Sequence, residues 1–255
     1  MTTGGPLPQP EFEQRWRQRF SERGARLDDD AGIAGWTPTG LQARVRQFRA
    51  LWEAQQREPG LWLDIGCGAG TYTRLLHAHG HEPVGLDYAL PSLKKAAQRG
   101  GGSALGWASA DIRRLPLRDG QADGILCFGV MQALSDPTPA LTELFRVLRP
   151  GGELWVDALN ARCAPTILSE WRRRRRRQPA HLRYDHPQAF RRAAQAAGLE
   201  ITALEWLPIV PGSLQPLAGL VESRPARMLM RAAPPLGSTL SHSFILRAKR
   251  PCREA

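Results

Sequence analysis

The stretch richest in chemistry is Leu61-Trp62-Leu63-Asp64-Ile65-Gly66-Cys67-Gly68-Ala69-Gly70. An apolar run ends in an aspartate and breaks into glycines at alternate positions; Thr71-Tyr72-Thr73-Arg74-Leu75-Leu76 then opens a helical pattern. Glycines let a backbone close on a ligand where a Cβ would intrude, and a helix start offers unpaired N–H groups. A strand, tight turn and helix of this kind are expected to bind a nucleotide-like ligand at the carboxyl end of the strand. The spacing is GxGxG, not the GxGxxG of the dinucleotide fingerprint, which disfavours a nicotinamide cofactor. The four cysteines (Cys67, Cys127, Cys163, Cys252) show no CxxC or His/Cys ligand spacing. No metal site is expected, and a reduced, cytoplasmic setting fits best.

Positioning that turn requires a sheet, and the pattern supplies one. Strands are expected at Leu61–Ile65, Pro83–Leu86 (ending at Asp87), about Ala104–Ala108 (ending near Asp111), Gly124–Phe128, Glu153–Asp157, Glu200–Leu207 and Ser241–Ala248. Helices are expected between them at about 70–79, 91–99, 138–148 and 187–197. Alternating strands and helices argue for a parallel sheet with helices on both faces. Before the first strand, Phe12, Trp16 and Phe20 share one helical face in 11–23. Leu41, Val45, Phe48, Leu51 and Trp52 do the same in 41–56, and 28–40 reads as a loop. Residues 1–56 are therefore expected as a helical cap or lid, with one domain over 57–255. Residues 160–185 read as irregular and 212–233 as a Pro- and Leu-rich helical segment. Residues 1–10 read as disordered.

The chain has 255 residues and a net charge of +11, from 35 basic and 24 acidic residues. Six of the positives are the single block Arg172–Arg177, so the remainder is only mildly basic. Such a block can meet nucleic acid, anionic lipid or an anionic substrate, or can be a solvated face. No apolar run reaches about eighteen residues, so no transmembrane helix is expected, and the N-terminus lacks a secretion-signal pattern.

Four segments in order resemble a class I S-adenosylmethionine (SAM) dependent methyltransferase of the small-molecule type, a group that includes the ubiquinone/menaquinone C-methyltransferases. They are Leu63–Gly70, Val84-Gly85-Leu86-Asp87-Tyr88, Ala110–Leu117 and Leu144–Gly152, within roughly residues 60–160. The resemblance implies a Rossmann-like sheet of seven strands, mostly parallel with the last antiparallel. It implies SAM as cofactor and S-adenosylhomocysteine (SAH) as product. Gly66, Cys67, Gly68 and Gly70 would close on the methionine part, and Asp64 would face the ammonium directly or through water. Asp87 would accept from the ribose hydroxyls, and Tyr88 would cover the ribose or adenine. Asp111 would accept from the adenine amino group, with the Ile112 backbone at a ring nitrogen. Phe128 and Gly129 would sit beside the sulfonium. The segments 160–185 and 208–240, without counterpart, would form a substrate cover.

A sulfonium is already activated, so in-line SN2 transfer needs chiefly alignment and exclusion of water, with a base only if the nucleophile must lose a proton. The weak candidates for substrate contact are Asn160, His181, Tyr184 and His186, with Asp157 near them; Asp185 or His186 also reads as a helix start. Gln132 stands where some relatives carry histidine, which argues against a histidine mechanism there. Strand four ends Cys127-Phe128-Gly129-Val130, without the Asn/Asp-Pro-Pro-aromatic tetrad of base-amino methyltransferases. Cys127 is not followed by proline, as a cytosine C5 nucleophile would be. A small acceptor, lipid-like or anionic, is thus preferred, with Arg172–Arg177 as an anionic or membrane-surface contact. Two alternatives stand beside it: a SAM-binding partner subunit without transferase activity and, less favoured, a nucleic-acid methyltransferase.

Overall fold

The computed structural model describes residues 10–99, 105–178, 182–209, 216 and 218–252. Strand β1 (Leu61–Ile65) is its axis, because an apolar strand covered on both faces can only sit mid-sheet. It pairs in parallel with β2 (Glu82–Asp87) on one side and β4 (Ala122–Cys127) on the other. Outside these lie β3 (Gly106–Ser109) on β2 and β5 (Leu148–Leu159) on β4, again parallel. Strand β7 (Ser243–Lys249) runs antiparallel between β5 and β6 (Glu200–Leu207). The order β3-β2-β1-β4-β5-β7-β6 reverses direction between β1 and β4. A cleft opens at that switch point, at the carboxyl ends of the strands. The expected seven-stranded, mostly parallel sheet with an antiparallel last strand is what the chain forms.

Alternation along β1 sorts two cores. Leu63 and Ile65 face one layer, with Ile125, Leu141, Leu144, Val156 and Phe244. Trp62 faces the other, an aromatic layer of Phe48, Trp52, Tyr72, Phe128 and Trp155. Its hub is Phe48, fully buried on α3 (Pro38–Trp52), with rings of Tyr72, Phe128 and Trp155 at 5.3, 6.0 and 5.8 Å. The N-terminal apolar stripe is thereby fixed to the sheet by the packing that stabilises cores generally. The interstrand helices are α4 (Thr71–Ala78), α5 (Leu90–Gln98), α6 (Thr138–Val147) and α8 (Pro187–Ala196).

Three regions differ from expectation. Residues 28–40, expected as a loop, contain α2 (Asp30–Ala34), because the Asp29 side chain accepts from Gly32 N and starts a turn that Gly35 ends at φ +77°. Residues 160–185, expected as irregular, contain α7 (Ala164–Arg175), which takes in the first four arginines of the block. Residues 218–240 form three short helices, α9 (Ala218–Val221), α10 (Arg224–Ala232) and α11 (Pro234–Leu240), because Pro225 and the Pro234-Pro235 pair can only begin new helices. The first helix, α1 (Glu11–Arg26), runs three residues longer at its C-terminus than expected and packs on α5. The expected disorder of residues 1–9, the Gly100–Gly102 helix stop and the start of the 212–233 segment lie outside the described residues.

Candidate functional site

The cleft at the switch point holds about 900 Å³ of non-protein space, counted out to its open mouth. Its floor is the glycine turn. Gly66, Gly68 and Gly70 all take φ between +53° and +83°, a region that L side chains enter at a cost of about 1 kcal/mol or more. The amides of Gly66 and Cys67 both donate to Leu86 O, at 2.7 and 3.1 Å, which fixes the turn to β2. Asp87, at the end of β2, completes the clamp: one carboxylate oxygen accepts from Gly68 N at 2.9 Å and the other from Ala89 N at 2.8 Å. Burial pushes its carboxyl up from the usual range, against the lowering by those amides. Asp87 also lines the cleft, beside Tyr88 and the turn.

The opposite wall is apolar, formed by Ile112, Leu115, Val130 and Leu134. Phe128 and Gly129 close the inner end, Phe128 being braced from behind by Tyr72 at 5.0 Å. Cys67 also lines the cleft, its thiol pushed well up by burial, as is that of Cys127 in the core. Neither suits a thiolate nucleophile.

Three of the expected contacts lie elsewhere: Gly70 is not among the residues that line the cleft, and a Cβ added there would meet the Trp107 ring at 2.5 Å. Asp64 shares a β1 face with Trp62, is 2% exposed, and accepts from the Thr73 hydroxyl at 2.6 Å beneath the turn. Burial raises its pKa to about 6. Asp111 is held by two arginines, Arg17 from α1 and Arg113 at 2.9 Å. Burial pushes Asp111 up, but the Arg113 hydrogen bonds and the Arg17 charge outweigh it and hold the carboxyl below the usual range.

Arg17 belongs to a roof that α1 places over the cleft. Trp16, Arg17 and Phe20 of α1 line it, the Arg17 guanidinium lying 4.6 Å from the Tyr88 ring centre. Glu13 latches the same helix to the far wall, accepting from Arg113 at 3.0 Å and from the Ser135 hydroxyl at 2.6 Å. Trp36, after α2, sits over Gly129, where a Cβ would come 2.8 Å from its ring. Arg44 of α3 stacks 4.6 Å from the Trp36 ring centre and pairs at 2.7 Å with Asp157, both side chains being 5% exposed or less. The other Asp157 oxygen accepts from Gly129 N at 2.6 Å. The strand-four end, the strand-five end and the roof are thus one hydrogen-bonded unit.

The candidates at the far rim are scattered. Asn160 is fully buried and stapled, donating to Ser238 O and Ser241 O at 2.6 and 2.8 Å and accepting from Arg162 N. His186 caps α8 through Gln188 N. Tyr184 stands edge-on to His242 at 6.4 Å. His181 lies outside the described residues. Sequence reasoning missed His242, at the start of β7, where burial and the Arg44 charge lower its pKa to about 4. It lines a second chamber behind Trp36. No group of His, Cys, Asp and Glu able to hold a metal occurs among the described residues.

Residues 63–156 match the family model described as "Methyltransferase domain". Over those residues the chain carries a methyltransferase domain. Its curated relatives include malonyl-[acyl-carrier protein] O-methyltransferase of Pseudescherichia vulneris, 34% identical over 116 residues, 46% of this chain and 45% of that protein. A probable tRNA methyltransferase 9B of Homo sapiens is 38% identical over 117 residues, 44% of this chain and 23% of that one. The chain thus matches under half the length of these relatives. Among solved structures, a chain of the complex between the Haloferax volcanii Trm112 methyltransferase activator and a methyltransferase superposes with a TM-score of 0.64 at 18% identity, covering 94% of this chain and 99% of its own. The [4+2]-cyclase SpnF does so with 0.64 at 19%, covering 97% and 100%. Both likenesses concern the fold.

The cofactor of this domain is SAM, and the cleft suits it. The open space above Gly68, where the nearest side chain to an added Cβ is Ile33 at 3.8 Å, admits a backbone-hugging ligand. A carboxylate stands at the strand-two end for vicinal hydroxyls, and an apolar slot can take a flat base.

Proposed function

We propose that the chain transfers the methyl group of SAM to a small-molecule acceptor by in-line displacement. The observation that carries this is the Asp87 clamp: a carboxylate at the strand-two end that fixes the glycine turn through Gly68 N and itself lines the cleft. SAM supplies an electrophilic methyl on a positively charged sulfur. The chain's own work is to bind, align and keep dry. Gly66–Gly70 would hold the methionine part, and Asp87 the ribose hydroxyls. Tyr88, Ile112 and Leu115 would flank the base, and Phe128 and Gly129 would bound the sulfonium. Asp64 would act on the ammonium through the turn above it. Asp111, once α1 moves, would be open to the adenine amino group. Trp16, Phe20 and Trp36 would exclude water, which raises the strength of every electrostatic contact inside.

On this reading residues 1–56 are a cap, 57–255 the catalytic domain, and α7 with α9–α11 the cover. The relatives named above are a malonyl-[acyl-carrier protein] O-methyltransferase and a probable tRNA methyltransferase. The apolar roof favours a small acceptor over a polynucleotide. Ile167, Leu168 and Trp171 are about half exposed beside Arg172–Arg175, a pattern that supports contact with an anionic surface. A cytoplasmic setting agrees with four free cysteines, three of them buried, and no described helix is long and apolar enough to cross a membrane.

Calorimetry with SAM and SAH, followed by a methyl-transfer assay on small-molecule extracts, tests the proposal. Asp87→Ala should weaken SAM by more than tenfold, since it removes the acceptor for two hydroxyls and for the amides of Gly68 and Ala89. Unchanged affinity would sink the ribose assignment. Tight SAM binding with no methylated product from any extract would favour a binding subunit instead.

A further inference from the structure

The second chamber lies directly behind Trp36 and holds about 910 Å³ of non-protein space, counted to its mouth. Trp16, Phe20, Ala34 and Trp36 line both spaces, so the two share one wall. That wall stands against Gly129, at the strand-four end where the cofactor's sulfur would lie.

The polar groups of this chamber are unusually specific. Arg44 and Gln132 line it, each about 5% exposed, yet Arg44 Nε and Gln132 Oε1 find no hydrogen-bond partner. Leaving a buried donor and a buried acceptor unmet costs about 1–3 kcal/mol each. A ligand that enters the chamber can meet both. One is a donor and the other an acceptor, so the ligand end that reaches them must both accept and donate. A hydroxyl does both.

The mouth has another character. Arg19 and Arg23 line it one helical turn apart on α1, and no described carboxylate comes within ion-pair distance of either. The Arg19 guanidinium lies over the Trp16 ring, 4.7 Å from its centre. Two like charges set side by side without an anion repel each other, and a bound anion relieves that. Between mouth and floor the walls are Trp16, Phe20, Trp36, Leu159 and Ile209, flat and apolar.

We infer that this chamber is the acceptor site and that it takes a small organic acid with a flat apolar body. Its anionic group is held by Arg19 and Arg23, and a hydroxyl at its inner end meets Gln132 Oε1 and Arg44 Nε. The inference rests on the methyl-transfer reading for the word acceptor; the chamber's chemistry stands on its own residues.

The probe is 3-(4-hydroxyphenyl)propanoate, with its uncharged amide and the hydroxyl-free 3-phenylpropanoate as matched controls. Each is titrated calorimetrically into the full chain, with and without SAH. The acid should bind at least tenfold more tightly than the amide, and roughly tenfold more tightly than 3-phenylpropanoate, about the value of one hydrogen bond to a buried group. Arg19→Gln/Arg23→Gln should erase the acid-over-amide preference and leave SAH affinity unchanged. Gln132→Leu should erase the hydroxyl preference and keep the charge preference. Equal binding of acid and amide, a preference that survives the double substitution, or no saturable binding of any probe overturns the assignment. Failure of SAH to bind while the acid binds with these preferences overturns the methyl-transfer reading and leaves the chamber assigned.

Discussion

The cofactor cleft and the acceptor chamber are neighbours built on opposite principles. The cleft comes from one continuous stretch, residues 65–134, with its polar contacts made by backbone amides and a strand-end carboxylate. Only its roof comes from elsewhere. The chamber draws on residues 16–44, 132, 159, 182, 209 and 242, and its polar contacts are long side chains. Backbone geometry suits a ligand that never changes. Side chains on separate segments can be exchanged one at a time without disturbing the sheet, which suits a ligand that differs from one enzyme to another.

The sharpest way to break the comparison is at the one buried ion pair joining the two spaces. Arg44→Met leaves the Asp157 carboxylate buried without its partner and should cost about 3–5 kcal/mol. At this size that lowers the melting temperature by roughly 10 °C. Adding Asp157→Asn should recover much of the loss, and a double variant no more stable than the single one would show that the pair is not the link.

The next effect is a contrast in pH dependence. Asp64 under the cleft has its folded-state pKa raised to about 6, so its contribution is present below the unfolded value and is lost as pH rises through 6. The full loss is roughly 3 kcal/mol. Asp64→Asn should therefore gain stability over the parent above pH 6 and none below pH 4. His242 on the chamber side has its pKa lowered to about 4, so its contribution is present above the unfolded value and is lost as pH falls through 4. His242→Gln should flatten the acid limb between pH 6.5 and 4. Denaturation series at several pH values check both; parallel curves for parent and variants would contradict them.

Gly129→Ala is smaller in stability but selective. At φ +79° the substitution costs about 1–2 kcal/mol, and the new methyl pushes Trp36 from the shared wall. Turnover should fall more than SAH affinity does, measured as kcat against Kd. Least of all, replacing the exposed Arg172, Arg174 and Arg175 by Ser/Gln, and leaving Arg173 with its Glu170 partner, should move stability by under about 0.5 kcal/mol. It should still abolish binding to anionic vesicles. Binding that survives the change would dismiss the surface contact.

The same contrast explains what the sequence discloses. Strands β1, β2 and β6 are visible as runs because their neighbours in space impose a local apolar pattern, and Gly66–Gly70 show themselves by spacing alone. Trp36 and Arg44 show nothing of the kind. Trp36 lies in a stretch whose glycine and proline read as loop, and Arg44 is 113 residues from the Asp157 that explains it. Helix α7 escapes because Ile167, Leu168 and Trp171 face outward, so no buried stripe betrays it. Asn160 misleads in the other direction: a polar residue at a strand end looks like a substrate contact, but its amide is spent on Ser238 and Ser241.

Helix α1 is latched at Arg17–Asp111 and at Glu13–Ser135, and it roofs both spaces. One helix therefore forms part of the boundary of two spaces. The Arg17–Asp111 pair is only part-buried, so added salt that screens it should loosen one wall of the cleft and one wall of the chamber together.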